Sequence, residues 1–570
     1  MKCDKLFYNG VIYNTPFRKF FRGFLAVTGD RIVYTGTGER PDDVEAEEYI
    51  DLGGRTVVPG LIDVHMHIES SMLTPRAYAD EAVRHGVTTI VSEPHEIANV
   101  AGVPGVKAMI AAGEDAAIDI YYGIPSCVPS TNDRLETAGA DIDVPELLEL
   151  LKCPEVRCLG EVMNTRSVLT EPDGKANRLI RAFRANAPSL PVEGHVPRIV
   201  GEELAAYMMN GVDSDHTEHS LDELIERWFN GFCVQIQEKT LRQDVVDYLC
   251  ANSLYDNTCF VTDDVMADEM VSHGILDHIL RRAMDLGMPP EQAVYCCTMT
   301  PAVRMRFTDR GELRPNKKAD FVILDDLHTF DVYATYRNGA RAFLKGDPYI
   351  TSVDCSAFSG ELYDSVRLKH LFESDFAIRT VREGIVACRA AKVFSDRTQT
   401  EEIEVKLEAK DGEIIFEGTG MCAYSVFERH GRNGNRSHGI VCGSVIKRGA
   451  VATTYSHDSH NLCVMGCSKA DMAAAANTVL SMKGGMAVVE DGKVLAQAAM
   501  PIGGILTDRS ASQFAEEIGA VTRAMRELGY DHEDPIMSFC VLALPVSPQL
   551  KFSDVGLIDV TKQELVDLIK

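Results

Sequence analysis

The positions that could do chemistry in this 570-residue chain begin with His65 and His67, which close the apolar run GLIDVHMHI. Side chains alternate along a strand, so both imidazoles point to one side and Met66 to the other. Four further apolar runs also end in polar residues. Glu161 closes VRCLGEVMN, His195 closes LPVEGH, His216 closes GVDSDH, and Asp263-Asp264 close NTCFVTDD. Four imidazoles and two carboxylates make a mixed nitrogen and oxygen ligand set, suited to Zn²⁺, Fe²⁺ or Mn²⁺ rather than to Ca²⁺ or Mg²⁺. Six ligands exceed the needs of one tetrahedral centre. Two ions bridged by the carboxylate of Glu161 and by a hydroxide fit better, because divalent metals lower the pKa of water from about 15.7 towards about 7. Asp263 would take the proton of that nucleophile and hand it to the leaving side of the substrate.

A lone buried histidine is more often a hydrogen-bonded core residue than a ligand. The pairing of His65 with His67 after Pro-Gly-Leu-Ile-Asp, together with the other strand ends, favours the metal reading. A strand-end glutamate such as Glu161 can also serve only as a partner for an arginine. In SDHTEH, His216 is preferred to His219 because it lies nearer the apolar strand. His85, in VRHGVTT, reads as a favourable charge at a helix C-terminus.

These residues need a scaffold that brings strand ends together. Between Pro59 and about Thr300, eight short apolar runs recur with helical patterns between them: the five above and GVTTIVSEP, IDIYYGIPSCV and GFCVQIQE. Strands alternating with helices imply right-handed crossovers and a parallel sheet, and eight in that length suit a closed (β/α)8 TIM-like barrel. The C-terminal ends of barrel strands face one mouth, so the polar residues would converge there. A doubly wound open sheet is the alternative, but no GxGxxG follows a first strand. Residues 1–58 and 301–348 read as short alternating strands of one small β-sandwich, into which the barrel, 59–300, is inserted. Residues 349–570 read as a C-terminal α+β domain. No repeat or low-complexity tract is evident.

The balance of 57 basic against 85 acidic side chains gives −28, spread along the chain. That argues against a duplex-binding surface, since such affinity comes from neutralising phosphates, and favours a small-molecule substrate. Sixteen cysteines lie scattered without a CxxC pair, a pattern of free thiols in a reducing compartment. The N-terminal residues lack an apolar signal core and no long uncharged apolar run occurs. The expectation is a cytoplasmic protein with neither nucleic-acid nor membrane partners.

Two polar segments remain. His95 and Glu96, in SEPHEIANV, read as substrate contacts or support for the metal ligands, or as an ordinary acidic helix start. The run Ser456, His457, Asp458, Ser459, His460, Asn461 sits between apolar strands, either as a loop dipping over the barrel mouth as a lid or as a turn held by local hydrogen bonds.

Taken in order, VVPGLIDVHMHIESSMLTP, GVTTIVSEPHEIANV, PSCVPST, LGEVMN, EGHVP, SDH, VTDD and SHDSHN resemble the adenine deaminases of the amidohydrolase superfamily. The resemblance implies a binuclear metal centre, with Mn²⁺ or Fe²⁺ as the usual ions, that hydrolyses adenine to hypoxanthine and ammonia in purine salvage. It implies His65, His67, Glu161, His195, His216 and Asp263 as metal ligands, with Glu161 where many relatives carry a modified lysine. Asp263 and Glu161 would be the catalytic pair. Asp264, His95, Glu96, His457, Asp458 and His460 would bind substrate or support the ligands. Relatives also lead us to expect a homo-oligomer, a dimer or larger. The alternatives are a deaminase of another 6-substituted purine such as N6-methyladenine, or a cyclic amide hydrolase of the dihydropyrimidinase type, which would carry lysine where this chain has Glu161. The other zinc deaminase plan, His-x-Glu with Pro-Cys-x-x-Cys, is absent.

Overall fold

The computed structural model describes residues 1–570. The chain opens with β1 (Lys2–Asn14), β2 (Lys19–Thr28), β3 (Arg31–Thr37), β4 (Glu45–Asp51) and β5 (Thr56–Pro59). Strand β1 changes partner along its length. Lys2 to Tyr8 run parallel to β4, and Val11 and Ile12 run parallel to β5. Alternate residues bury both faces of this sheet: Phe7, Leu25 and Val27 pack on one cluster, Leu6, Phe24 and Ala26 on another.

Eight strands follow: β6 (Leu61–Met66), β7 (Val87–Ser92), β8 (Asp119–Ile124), β9 (Val156–Val162), β10 (Val192–Gly194), β11 (Ser214–Asp215), β12 (Cys233–Ile236) and β13 (Thr258–Phe260). Each coincides with one of the eight apolar runs. Strands β6 to β10 form a continuous parallel sheet, and β11 to β13 a second. A parallel bridge between Met66 and Asp263 links the far edge back to β6. Strands β6 and β7 are buried at every residue, as parallel strands covered on both faces must be. Helices cover the outside. The helix Leu221–Phe229 starts on a capping box of Ser220 and Glu223, and Val144–Leu150 on one of Asp143 and Glu146.

The chain then returns to its first sheet with β14 (Phe321–Asp326), β15 (Asp331–Arg337) and β16 (Ala340–Leu344); β14 pairs antiparallel with β5. Asp119, at the start of β8, fastens this sheet to the foot of the barrel by accepting from Arg310, Lys318 and Arg337 at 2.8, 2.7 and 2.6 Å. Residues beyond 349 form a nine-stranded mixed sheet, a three-stranded sheet, and helices Lys469–Ser481 and Ala511–Glu527. The second of these helices packs on Ala267–His273 of the barrel layer. One continuous apolar cluster runs from Met72, Ile97 and Met270 to Ile502, Phe514 and Ile518. No helix is long and apolar enough to cross a membrane.

Candidate active site

The barrel mouth gathers the strand ends. Glu161, at the end of β9, stands at its centre, and its two oxygens face different imidazoles. Oε1 lies 3.5 Å from His67 Nε2, whereas Oε2 lies 2.9 Å from His195 Nδ1 and 3.4 Å from His216 Nε2. Asp263 Oδ1 lies 3.6 Å from His65 Nε2 and 3.5 Å from His67 Nε2. His65 and His216 stack with ring centroids 3.7 Å apart. All six residues therefore share one cluster, with His65, His67, Glu161 and His216 buried and His195 and Asp263 partly exposed.

The local backbone explains how. Asp263 has φ near +59°, in the left-handed region that costs an L-residue about 1 kcal/mol. It is held there because its N–H donates to His65 O at 3.1 Å while its own carbonyl accepts from His67 N at 3.3 Å. The Nδ1 of His67 lies 3.0 Å from Glu93 O, which leaves Nε2 free to face the carboxylates. Burial works against charge on Glu161, yet His195 and His216 hold its carboxyl well below the usual range. Burial likewise opposes a proton on His65, but Asp263 and Glu161 raise it to about 9. His216 is pushed down to about 3 by burial and then by His65.

These residues fit a metal. Neither ring nitrogen of His65 has a hydrogen-bond partner, nor does Nδ1 of His216, although all are buried. Within 4 Å the carboxylates of Glu161 and Asp263 meet only imidazoles, with no lysine or arginine at ion-pair distance. Four groups of three donors overlap here, each with its atoms within 4.8 Å of one another: His65/His216/Asp263, His65/His67/Glu161, Glu161/His195/His216 and His67/Asp263/Asp264.

The other sequence candidates fall around this cluster. Asp264 accepts from Ser70 Oγ, which accepts in turn from Tyr455 Oη at 3.2 Å. His95 and Glu96 do open a helix, His95–Ala112, and they also face the site: His95 Nδ1 lies 3.4 Å from Glu161 Oε1. The segment from Ser456 to Asn461 is buried throughout and reaches the mouth. His457 Nδ1 is 2.6 Å from Glu96 Oε1, and His460 Nε2 meets Glu96 Oε2. His219 turns away to Asp215 Oδ2 at 2.7 Å, where Arg227 also binds. His85 lies between Glu81 and Asp277.

Sequence reasoning passed over several residues of this neighbourhood. Asp63 accepts from His65 N and from both the backbone N and hydroxyl of Thr262. Glu93, at the end of β7, lies among Gly123 and Gly160. A Cβ on Gly160 would come within 2.1 Å of the Glu93 carboxylate, so that position must be glycine. Burial lifts Glu93 to about 8, a neutral carboxyl at neutral pH. Ser126 donates to Glu161 O at 2.6 Å. A cavity of about 760 Å³ lies on the far side of the Ser126 loop, lined by Ser126, Cys127, Val162 and Met163 and, from the C-terminal part, by Lys562 to Leu565, and none of the six strand-end residues lines it. The only signal for these in the sequence is their place next to recognised strand ends.

Comparison with known proteins agrees along the whole chain. Residues 56–348 match the Amidohydrolase family, and residues 397–564 match the Adenine deaminase C-terminal domain. A protein named Adenine deaminase 2 from Shouchella clausii (strain KSM-K16) is 42% identical over 569 residues, covering 100% of this chain and 99% of that protein. Adenine deaminase of Clostridium perfringens (strain ATCC 13124) is 42% identical over 574 residues, covering 100% of both. Adenine deaminase 2 of Oenococcus oeni is 37% identical over 570 residues, covering 100% of this chain and 99% of that protein. A metal-ready barrel mouth, a matching barrel segment and full-length relatives together mean that the chain belongs to the adenine deaminase family of amidohydrolases.

Proposed function

We propose that this protein hydrolyses adenine to hypoxanthine and ammonia, with His65, His67, Glu161, His195, His216 and Asp263 holding two divalent ions. The observation that carries the reading is the split of Glu161, one oxygen towards His67 and the other towards His195 and His216, as a bridging carboxylate needs. Mn²⁺ or Fe²⁺ suits the donors, which also accept Zn²⁺. When bound, such ions supply Lewis acidity and make water acidic enough to act as a nucleophile near neutral pH.

The purine base would sit at the barrel mouth, its C6 towards Glu161 and Asp263. Water adds to C6, the electron pair of the C6–N1 double bond moves to N1, and N1 takes one of that water's two protons, leaving the other to Asp263. The carboxylate of Asp263 accepts a proton from the attacking water and delivers it to the exocyclic nitrogen. The C6–N6 bond then breaks, ammonia departs, and C6 keeps the oxygen as a carbonyl. Asp264, fixed by Ser70, serves the ring edge. Glu93, uncharged, adds no competing negative charge to the mouth.

The working unit is the barrel, 59–300, completed by 349–570 and framed by the sheet of 1–58 and 301–348. Purine salvage in the cytoplasm is its setting, in keeping with sixteen free cysteines. The test is purified protein reconstituted with Mn²⁺, Fe²⁺ or Zn²⁺ in turn and offered adenine, adenosine, N6-methyladenine and guanine while ammonia is recorded. Adenine should be preferred. No ammonia from adenine with any of the three metals would overturn the assignment.

A further inference from the structure

At the seam between the barrel and the C-terminal part lies a second cluster of chelating side chains. We propose that His95, Glu96 and Asp458 form a separate divalent-cation site, beyond the ions assigned to the Glu161 cluster. His95 Nε2 stands 3.6 Å from Glu96 Oε1 and 4.0 Å from Asp458 Oδ1. The three donors lie within 4.8 Å of one another, and all three residues are buried. Ligands held at about 2.1 Å around one ion stand roughly 3 to 4 Å apart, so the spacing is that of a coordination shell.

Two further observations point to a ligand. Asp458 is 1% exposed, and its Oδ2 has no hydrogen-bond partner. Glu96 and Asp458 are buried carboxylates whose charged neighbours are all histidines, with no lysine or arginine in contact. Buried charge left in that state is expensive, and a cation settles it. The surroundings suit a ligating carboxylate, which is itself normally hydrogen-bonded: His457 Nδ1 lies 2.6 Å from Glu96 Oε1, and His460 Nε2 holds Oε2.

The site is distinct from the Glu161 cluster because His95 turns its other nitrogen there, Nδ1 being 3.4 Å from Glu161 Oε1. The imidazole therefore stands between the two. Glu96 begins a barrel helix and Asp458 belongs to the C-terminal part, so the ion would pin the two parts together at the mouth. Mixed imidazole and carboxylate donors select Mn²⁺, Fe²⁺ or Zn²⁺.

The test strips the full-length protein with chelator, equilibrates it with Mn²⁺, removes free metal and counts ions per chain by elemental analysis. Wild-type protein should carry three, and Asp458→Asn and Glu96→Gln should each carry two. Wild-type protein that saturates at two ions overturns the site, and this count needs no variant to fold. Folded variants that keep the wild-type count overturn it as well, for protonated His457 and His460 would then balance the carboxylates. Ammonia release from adenine, measured on the same wild-type samples, separates this from the activity. Deamination with two ions sinks the site alone, and three ions without deamination sinks the activity alone.

Discussion

Asp63 accepts the hydroxyl of Thr262 at 2.6 Å and its backbone N–H at 3.2 Å, across nearly the whole length of the barrel sequence. The same carboxylate accepts from His65 N at 3.3 Å. It therefore joins the strand that carries His65 and His67 to the turn that carries Asp263. Replacing Asp63 with Ala should loosen both ends at once. We expect a 10- to 100-fold fall in metal affinity, the usual effect of losing such support, read as ions retained after dialysis. Full retention in a folded variant would show that the two strands hold themselves in register without it.

Asp263 is placed to accept and return a proton. Asp263→Asn keeps the shape and removes the base, so kcat for adenine should fall by about 10²- to 10⁴-fold. The variant's metal content, measured alongside, separates loss of the base from loss of a ligand. Near-normal kcat would refute the role.

Tyr455 hydrogen-bonds to Ser70, which holds Asp264. Through this chain the C-terminal part reaches the ring-binding side of the mouth. Tyr455→Phe removes one neutral hydrogen bond, worth about 1 kcal/mol, and should change kcat/KM for adenine roughly fivefold with metal content intact. An unchanged kcat/KM would mean that Ser70 orients Asp264 unaided.

The strand-end residues were legible because two local rules sufficed: side chains alternate along strands, and barrel strands open at one end. His65, His67, Glu161, His195, His216 and Asp263 each sit at the end of an apolar run, and the fold brings them together. Asp63, Ser70 and Tyr455 were not legible as a set. Their partners lie far away in sequence, and nothing local to Asp63 announces Thr262. Glu93 was hidden for a different reason, since its setting depends on the missing Cβ atoms of Gly123 and Gly160 on neighbouring strands. The segment around His457 was visible as polar residues between strands, but its contact with Glu96 spans two separately folded sheets.

Lys551 gives a pH-dependent prediction away from the site. Its side chain is fully buried, its ammonium donates only to Thr398 O at 3.1 Å, and burial lowers its pKa from 10.5 to about 7. Between those values the unfolded chain holds a proton that the folded chain does not, so stability rises with pH across that window. The penalty is complete below about pH 7 and gone above 10.5. Lys551→Met should therefore raise Tm at pH 6, and the gain should shrink as pH is raised towards 10. A gain that does not change with pH would place the lysine's proton elsewhere.

The C-terminal part also bears on whether the barrel can stand alone. A chain ending at residue 348 would strip Ile502, Phe514 and Ile518 from the cluster that includes Met72, Ile97 and Met270. It would also remove both imidazoles that bind Glu96, leaving that carboxylate buried beside His95 alone. Exposed apolar surface and an uncompensated charge each cost several kcal/mol, against a total stability of about 5–15 kcal/mol. The truncated chain should accordingly aggregate or bind a hydrophobic dye strongly, whatever metal is supplied. A monodisperse 1–348 fragment with unchanged kcat/KM for adenine would remove Tyr455, His457 and His460 from the mechanism and confine the chemistry to the six residues at the strand ends.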